Sequence, residues 1–161
     1  MSDNTVKLLA DFVDGKPIYE TLPAEKLGPN LYRLQASPGF APGVASGDEI
    51  ELAPDMHSYR VLKRSGNICI QLFLRECTPE DKEQITDIME SIGGWLDGGA
   101  GEKALPSLLI YNVPVQAGFA LIENAMAEIA EDFAIDQWMY GNVYDTRDGV
   151  TPLNWWKDKT G

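Results

Sequence analysis

Histidine is almost missing from this chain: His57 is the single copy among 161 residues. One histidine, in a turn-rich Pro-Asp-Met-His-Ser stretch, gives no ligand set for a metal centre and reads as solvent-facing. Cysteine is nearly as scarce. Cys69 and Cys77 stand eight residues apart, which is neither a CxxC nor a zinc-binding spacing, and both read as reduced thiols. Cys69 falls in an apolar stretch where a small buried thiol is expected, whereas Cys77 precedes a helix start that would lower its pKa. Long apolar runs are also lacking, so no membrane span is expected. The first residues, Met1 to Thr5, contain no basic segment followed by an apolar one, and a cytoplasmic location is expected.

The most telling scarcity is of positive charge in the second half. Residues 76–161 hold five Lys/Arg against sixteen Asp/Glu, while residues 1–75 are nearly balanced at eight against nine. That distribution argues against nucleic acid or an anionic membrane as a ligand and for a cationic protein partner. Phosphate-binding motifs are missing too. Gly39, Gly43 and Gly47 recur every four residues without a following Lys-Ser/Thr, and the glycines at 98, 99 and 101 precede a strand rather than a helix. Carboxylates are plentiful, but no pair stands out as a general acid and base, so no catalytic residue, metal or cofactor is expected.

What is present falls into two patterns. At 44% apolar residues the chain can bury a substantial core. Residues 6–13 end at Asp14-Gly15, a strong two-residue turn signal, and further short strands are expected at 18–25, 31–35, 49–52, 59–63 and 68–74. The Pro- and Gly-rich stretch 37–43 excludes regular structure there. After residue 74 the apolar period changes. Thr78-Pro79 is a helix start, followed by Ile85, Ile88, Met89 and Ile92 on one face. Residues 98–101 read as a flexible loop, 105–113 as a buried strand, and Phe119, Ile122, Ala125, Met126, Ile129 and Phe133 as a second helical stripe. Residues 137–144 form a last strand. The expected class is α+β. A small β-barrel or rolled sheet (1–66) precedes a ferredoxin-like split-βαβ layer with two helices (67–147) and an aromatic tail (148–161).

On this plan Glu80, Asp81, Glu83, Asp87 and Glu90 lie on the polar side of the first helix, and Glu123, Glu128, Glu131 and Asp132 on or near that of the second. The result is a solvated face that keeps the protein soluble, or a docking surface for a basic protein. Trp155 and Trp156 in the tail either fold back to close a core edge or serve as interface anchors.

The strand-and-turn blocks carry a resemblance. Leu31-Tyr32-Arg33-Leu34, the stretch from Pro38 through Val44 into Ser46-Gly47-Asp48-Glu49-Ile50, Arg64-Ser65-Gly66, Ile110-Tyr111-Asn112-Val113-Pro114 and the aromatic strand near Trp138 and Tyr140 are their matching pieces. In these the chain resembles a bacterial family catalogued as domain of unknown function 4265, over roughly residues 6–144. The resemblance implies a two-part α/β architecture and no established activity. Where the family pattern often has His, Arg and Asp, this chain has Asn67, Gln71 and Asn112, so chemistry at those places does not carry over.

Two functions compete. One is a non-enzymatic cytoplasmic binding protein, an immunity protein neutralising a cationic bacterial toxin, by analogy with small acidic proteins of that kind. It would be steered by Glu80, Glu83, Asp87, Glu90, Glu128, Glu131 and Asp132, with Trp155 and Trp156 as anchors. The alternative is a small enzyme or ligand-binding domain with a pocket between the two subdomains, presenting Asp48, Tyr111, Asn112 and Tyr140.

Overall fold

In the computed structural model, which describes residues 4–54, 58–102 and 105–158, the chain builds two antiparallel sheets and two helices. His57 lies outside the described residues. The first sheet is a meander of β1 (Thr5–Val13), β2 (Lys16–Gly28), β3 (Leu31–Leu34), β4 (Glu49–Leu52) and β5 (Tyr59–Lys63), hydrogen-bonded in that order. Asp14 and Gly15 make the first turn with φ of 52° and 76°, the left-handed pair that matches strand twist in a tight hairpin. Val6, Leu8, Leu22, Ala24, Leu34, Ile50 and Leu52 form one core on the inner face of this sheet. No barrel forms: β1 and β5 end the sheet without pairing to each other.

The second sheet takes β6 (Asn67–Leu74), β7 (Trp95–Glu102), β8 (Leu105–Pro114) and β9 (Ile135–Tyr140) in the order β7-β8-β6-β9, every neighbour antiparallel. The helices α1 (Pro79–Ser91) and α2 (Phe119–Asp132) both cover one of its faces. Alternation in β6 decides which residues meet them. Ile68, Ile70 and Leu72 pack with Leu109, Tyr111 and Val113 against Ile85, Met89, Ile122, Met126 and Ile129. Cys69, with Leu108 and Ile110, turns the other way and packs on Ala45 of the long β3–β4 connection.

That connection, residues 35–48, is the joint between the two sheets. Side-chain amides of the second sheet hold it: Asn67 Nδ2 donates to the Ser46 carbonyl at 2.9 Å, and Gln71 Nε2 to that of Pro38 at 3.1 Å. Asn112 Oδ1 accepts from the Ser37 hydroxyl at 3.0 Å. Asn67, Gln71 and Asn112 are therefore tie points between the layers.

Two expectations need correction. Residues 98–101 are not a loop but the middle of β7, and the second half contains four strands rather than three. Glycine is a poor strand former, yet a Cβ on Gly99 would collide with the Leu108 carbonyl oxygen. This edge approaches β8 too closely for a side chain. The last strand also stops at Tyr140 instead of running to 144.

Candidate functional site

Helix α1 starts in a capping box, Asp81 N–H donating to Thr78 Oγ1 (3.0 Å) and Thr78 N–H to Asp81 Oδ2 (3.1 Å). Asp81 is thus committed to the fold. The remaining acids are not. Glu80, Glu83, Asp87 and Glu90 follow one another at intervals of three, four and three, which stacks them along one stripe of α1, and all four are exposed. Glu128, Glu131 and Asp132 are exposed near the end of α2. Among the described residues none of these seven carboxylates makes an ion pair. Neither helix has a basic residue in its last turn, where Glu90, Glu131 and Asp132 face the negative end of the helix dipole.

The tryptophans sit elsewhere. Trp155 and Trp156 are half-buried against the core under the helices. Trp155 Nε1 donates to the Asn142 carbonyl at 2.8 Å, and the Arg64 guanidinium lies 5.5 Å from its ring. Trp156 meets Phe119 edge-on at 5.0 Å and Trp155 at 5.5 Å. Both close a core edge, and the sequence-selected set of seven acids and two tryptophans is not one patch.

The polar groups weighed for an inter-sheet pocket do not converge either. Asp48 is buried in the joint, where its carboxylate accepts from the N–H groups of Ala45 (3.0 Å) and Ser65 (2.9 Å) and from the Ser65 hydroxyl, with Arg64 at 3.5 Å. Burial pushes its pKa up, and those partners oppose the shift. Tyr111 shares a 2.7 Å hydrogen bond with Thr86, and burial raises its hydroxyl to about 12. Asn112 is fully buried, and its Nδ2 has no partner among the described residues.

Of those four, only Tyr140 reaches a cleft. This cleft, of about 680 Å³, lies along β9 and is walled by Trp138, Met139 and Tyr140, by the loop from Tyr144 to Gly149, and by Phe40 and Pro42 of the joint. Glu123 of α2 reaches into it and accepts the Tyr140 hydroxyl at 3.0 Å. Burial first, then Glu123, drives the Tyr140 pKa upward, so the phenol stays protonated. Trp138 and Phe119 flank Tyr140 edge-on at 5.1 and 5.6 Å. Phe40 stands exposed at the rim because the Glu20 carboxylate accepts from three successive N–H groups, of Gly39 (2.7 Å), Phe40 (2.9 Å) and Ala41 (2.8 Å). Phe40, Met139 and Tyr144 were not anticipated as site residues. Their signal, exposed aromatic or thioether side chains from distant segments, exists only once the chain is folded.

Nucleophilic chemistry has little support. Cys77 is buried, and desolvation followed by the charge of Asp81 raises its thiol pKa, against the lowering expected of a helix start. Cys69 is fully buried and shifted upward for the same first reason. Among the described residues no group of three His, Cys, Asp or Glu is placed to hold a metal ion. No described helix is long and apolar enough to cross a membrane.

A family model described as "Domain of unknown function (DUF4265)" matches residues 20–137. The chain belongs to this family. The DUF4265 match covers the joint, Gln71, Asn112 and both helices, and stops inside β9. Among solved structures the chain is similar to a hypothetical protein from Neisseria gonorrhoeae. The TM-score is 0.64 at 17% identity, over 88% of this chain and 95% of that one. That likeness speaks to the fold alone. No curated protein matches.

Proposed function

We propose that this DUF4265 protein is a non-enzymatic binding protein that neutralises a cationic protein, in the manner of a cytoplasmic immunity protein facing a bacterial toxin. The contact surface is the acidic outer face of α1 and α2. One observation carries the reading: the carboxylates stand where they cost stability. A solubilising face works with charges of either sign and gains from i,i+4 pairs. Here Glu83 and Asp87, and Glu128 and Asp132, are like charges four residues apart, and three acids crowd helix C-termini. A basic partner would relieve that repulsion on binding and be drawn in by it. The β-α-β-β-α-β order with sheet order β7-β8-β6-β9 supports a ferredoxin-like layer as the platform.

The test is affinity capture from the native host, at low and high salt, by the parent and by a variant carrying Glu83→Lys, Asp87→Lys, Glu128→Lys and Asp132→Lys. One stoichiometric basic protein is expected with the parent at low salt and is lost on reversal. Association of the purified pair slows by about tenfold or more. Equal capture by parent and variant would refute the acidic-face reading. A second reading, a small-molecule or enzymatic pocket, draws on the cleft beside Tyr140. A metabolite that raises the melting temperature of the parent but not of a Tyr140→Phe variant would favour it.

A further inference from the structure

The cleft borders an unpaired strand. β9 ends its sheet, and hydrogen bonds on its inner side go to β6. In an antiparallel pair, alternate residues turn both main-chain groups toward the partner or away from it. Gly141 N–H donates to the Cys69 carbonyl at 2.8 Å, so Met139, two residues back in register, also faces β6. Trp138 and Tyr140 therefore point their N–H and C=O groups outward, and no described strand or loop takes them. Open edges of this kind are templates for an added strand.

The electrostatics choose the occupant. Among the described residues, the charged ones lining the cleft are Glu123 and Asp145. Asp145 is paired with Arg147 at 2.7 Å, while among the described residues Glu123 is engaged by the Tyr140 hydroxyl alone. Glu123 is exposed and stands among Tyr140, Trp138 and Phe119, a setting of carboxylate and aromatic rings that suits a guanidinium or ammonium group. A second copy of this chain is a poor occupant, because it would bring another Glu123 and a second charge of −12 to the same edge. We propose that the β9 edge takes up an extended basic segment of the partner protein by strand addition, with an Arg or Lys seated beside Glu123 and Tyr140. Side chains alternate across a sheet, so residues next to that basic one project toward Phe40 and Met139 and are apolar. This rests on the reading of the protein as a binder of a cationic protein. It adds where the chain is gripped once the helix acids have attracted it.

The test uses the whole protein and an end-capped hexapeptide of alternating arginine and valine at physiological ionic strength. A glutamate–valine peptide and an arginine–valine peptide N-methylated at alternate residues serve as controls. Amide chemical shifts and hydrogen exchange are followed residue by residue. The arginine peptide is expected to slow exchange at the Trp138 and Tyr140 amides by about tenfold or more. N-methylation, which removes main-chain donors without touching the protein, is expected to weaken binding by about tenfold. Glu123→Gln should weaken it further, while the glutamate peptide should not bind. Binding that leaves the β9 amides unprotected, that maps instead to α1 and α2, or that survives N-methylation overturns strand addition while leaving the acidic-face reading standing. Absence of binding overturns it as well. Conversely, β9 protection together with partner capture that ignores the helix reversals would keep the edge and remove the face.

Discussion

Acidic residues are treated in opposite ways by the two layers of this molecule. In the first sheet they are answered: Arg33 bridges Glu25 and Glu49, Arg60 meets Glu51, and Arg64 stands beside buried Asp48. The Arg33 and Arg60 pairs sit across neighbouring strands, where opposite charges support the register, and the Arg64 pair stands in the joint beside them. On the helices of the second layer the carboxylates are left to repel one another. The same side-chain chemistry thus serves cohesion in one layer and, on our reading, recognition in the other. The difference is measurable as the sign of the stability change when an acid is removed.

The largest contrast is expected at Asp48. Replacing it with alanine leaves the Ala45 and Ser65 N–H groups without their acceptor and Arg64 without its counter-charge, inside the joint. A loss of about 3–5 kcal/mol in urea unfolding is expected, whereas Glu83→Ala should cost nothing. Equal effects at the two positions would break the comparison. Titration sharpens it. Burial raises the Asp48 pKa in the fold, so its favourable contribution is present below the ordinary carboxylate range and lost as pH rises through its own raised value. An Asp48→Asn variant should accordingly gain on the parent as pH rises above the ordinary carboxylate range.

Glu20 comes next. Its carboxylate gathers three N–H groups of the joint, and Glu20→Ala is expected to cost about 1.5–3 kcal/mol. Hydrogen exchange should accelerate at Gly39, Phe40 and Ala41 and leave the helices unchanged. If exchange at these three amides does not move, Glu20 is not what presents Phe40 at the cleft.

Local signals were legible in the sequence. Asp14-Gly15 and Thr78-Pro79 fix their turn and helix start through backbone preferences that need no distant partner. The apolar stripes of both helices likewise follow from period alone. Illegible features depend on what a segment meets. Gly98 and Gly99 give no strand signal; β7 forms by pairing with β8, and at Gly99 a Cβ would run into the Leu108 carbonyl oxygen. Whether the rolled sheet closes is decided by its two edge strands, which are 45 residues or more apart in sequence. The helix acids could be placed on their faces from spacing, but their lack of basic partners could not. Nor could the cleft, whose walls come from residues 40, 71, 123 and 138–149. The free edge of β9 follows from strand order, which only the folded sheet reveals.

The smallest effects decide most directly between a solvated face and a docking surface. A carboxylate in the last turn of a helix opposes the dipole by about 0.3–1 kcal/mol, and a like charge four residues away adds a few tenths. Glu90→Lys, Glu131→Lys and Asp132→Lys should therefore each raise the thermal midpoint slightly, whereas Glu51→Lys in the first sheet should lower it by breaking its pair with Arg60. Raising salt from about 0.05 to 0.5 M should stabilise the parent and shrink the gain of the helix variants, because screening removes the repulsion they relieve. If the helix variants are stabilised and also lose the cationic partner, the acids are kept for binding at the expense of stability. If they are stabilised and bind as before, the face is only solvated, and the β9 edge must account for recognition by itself.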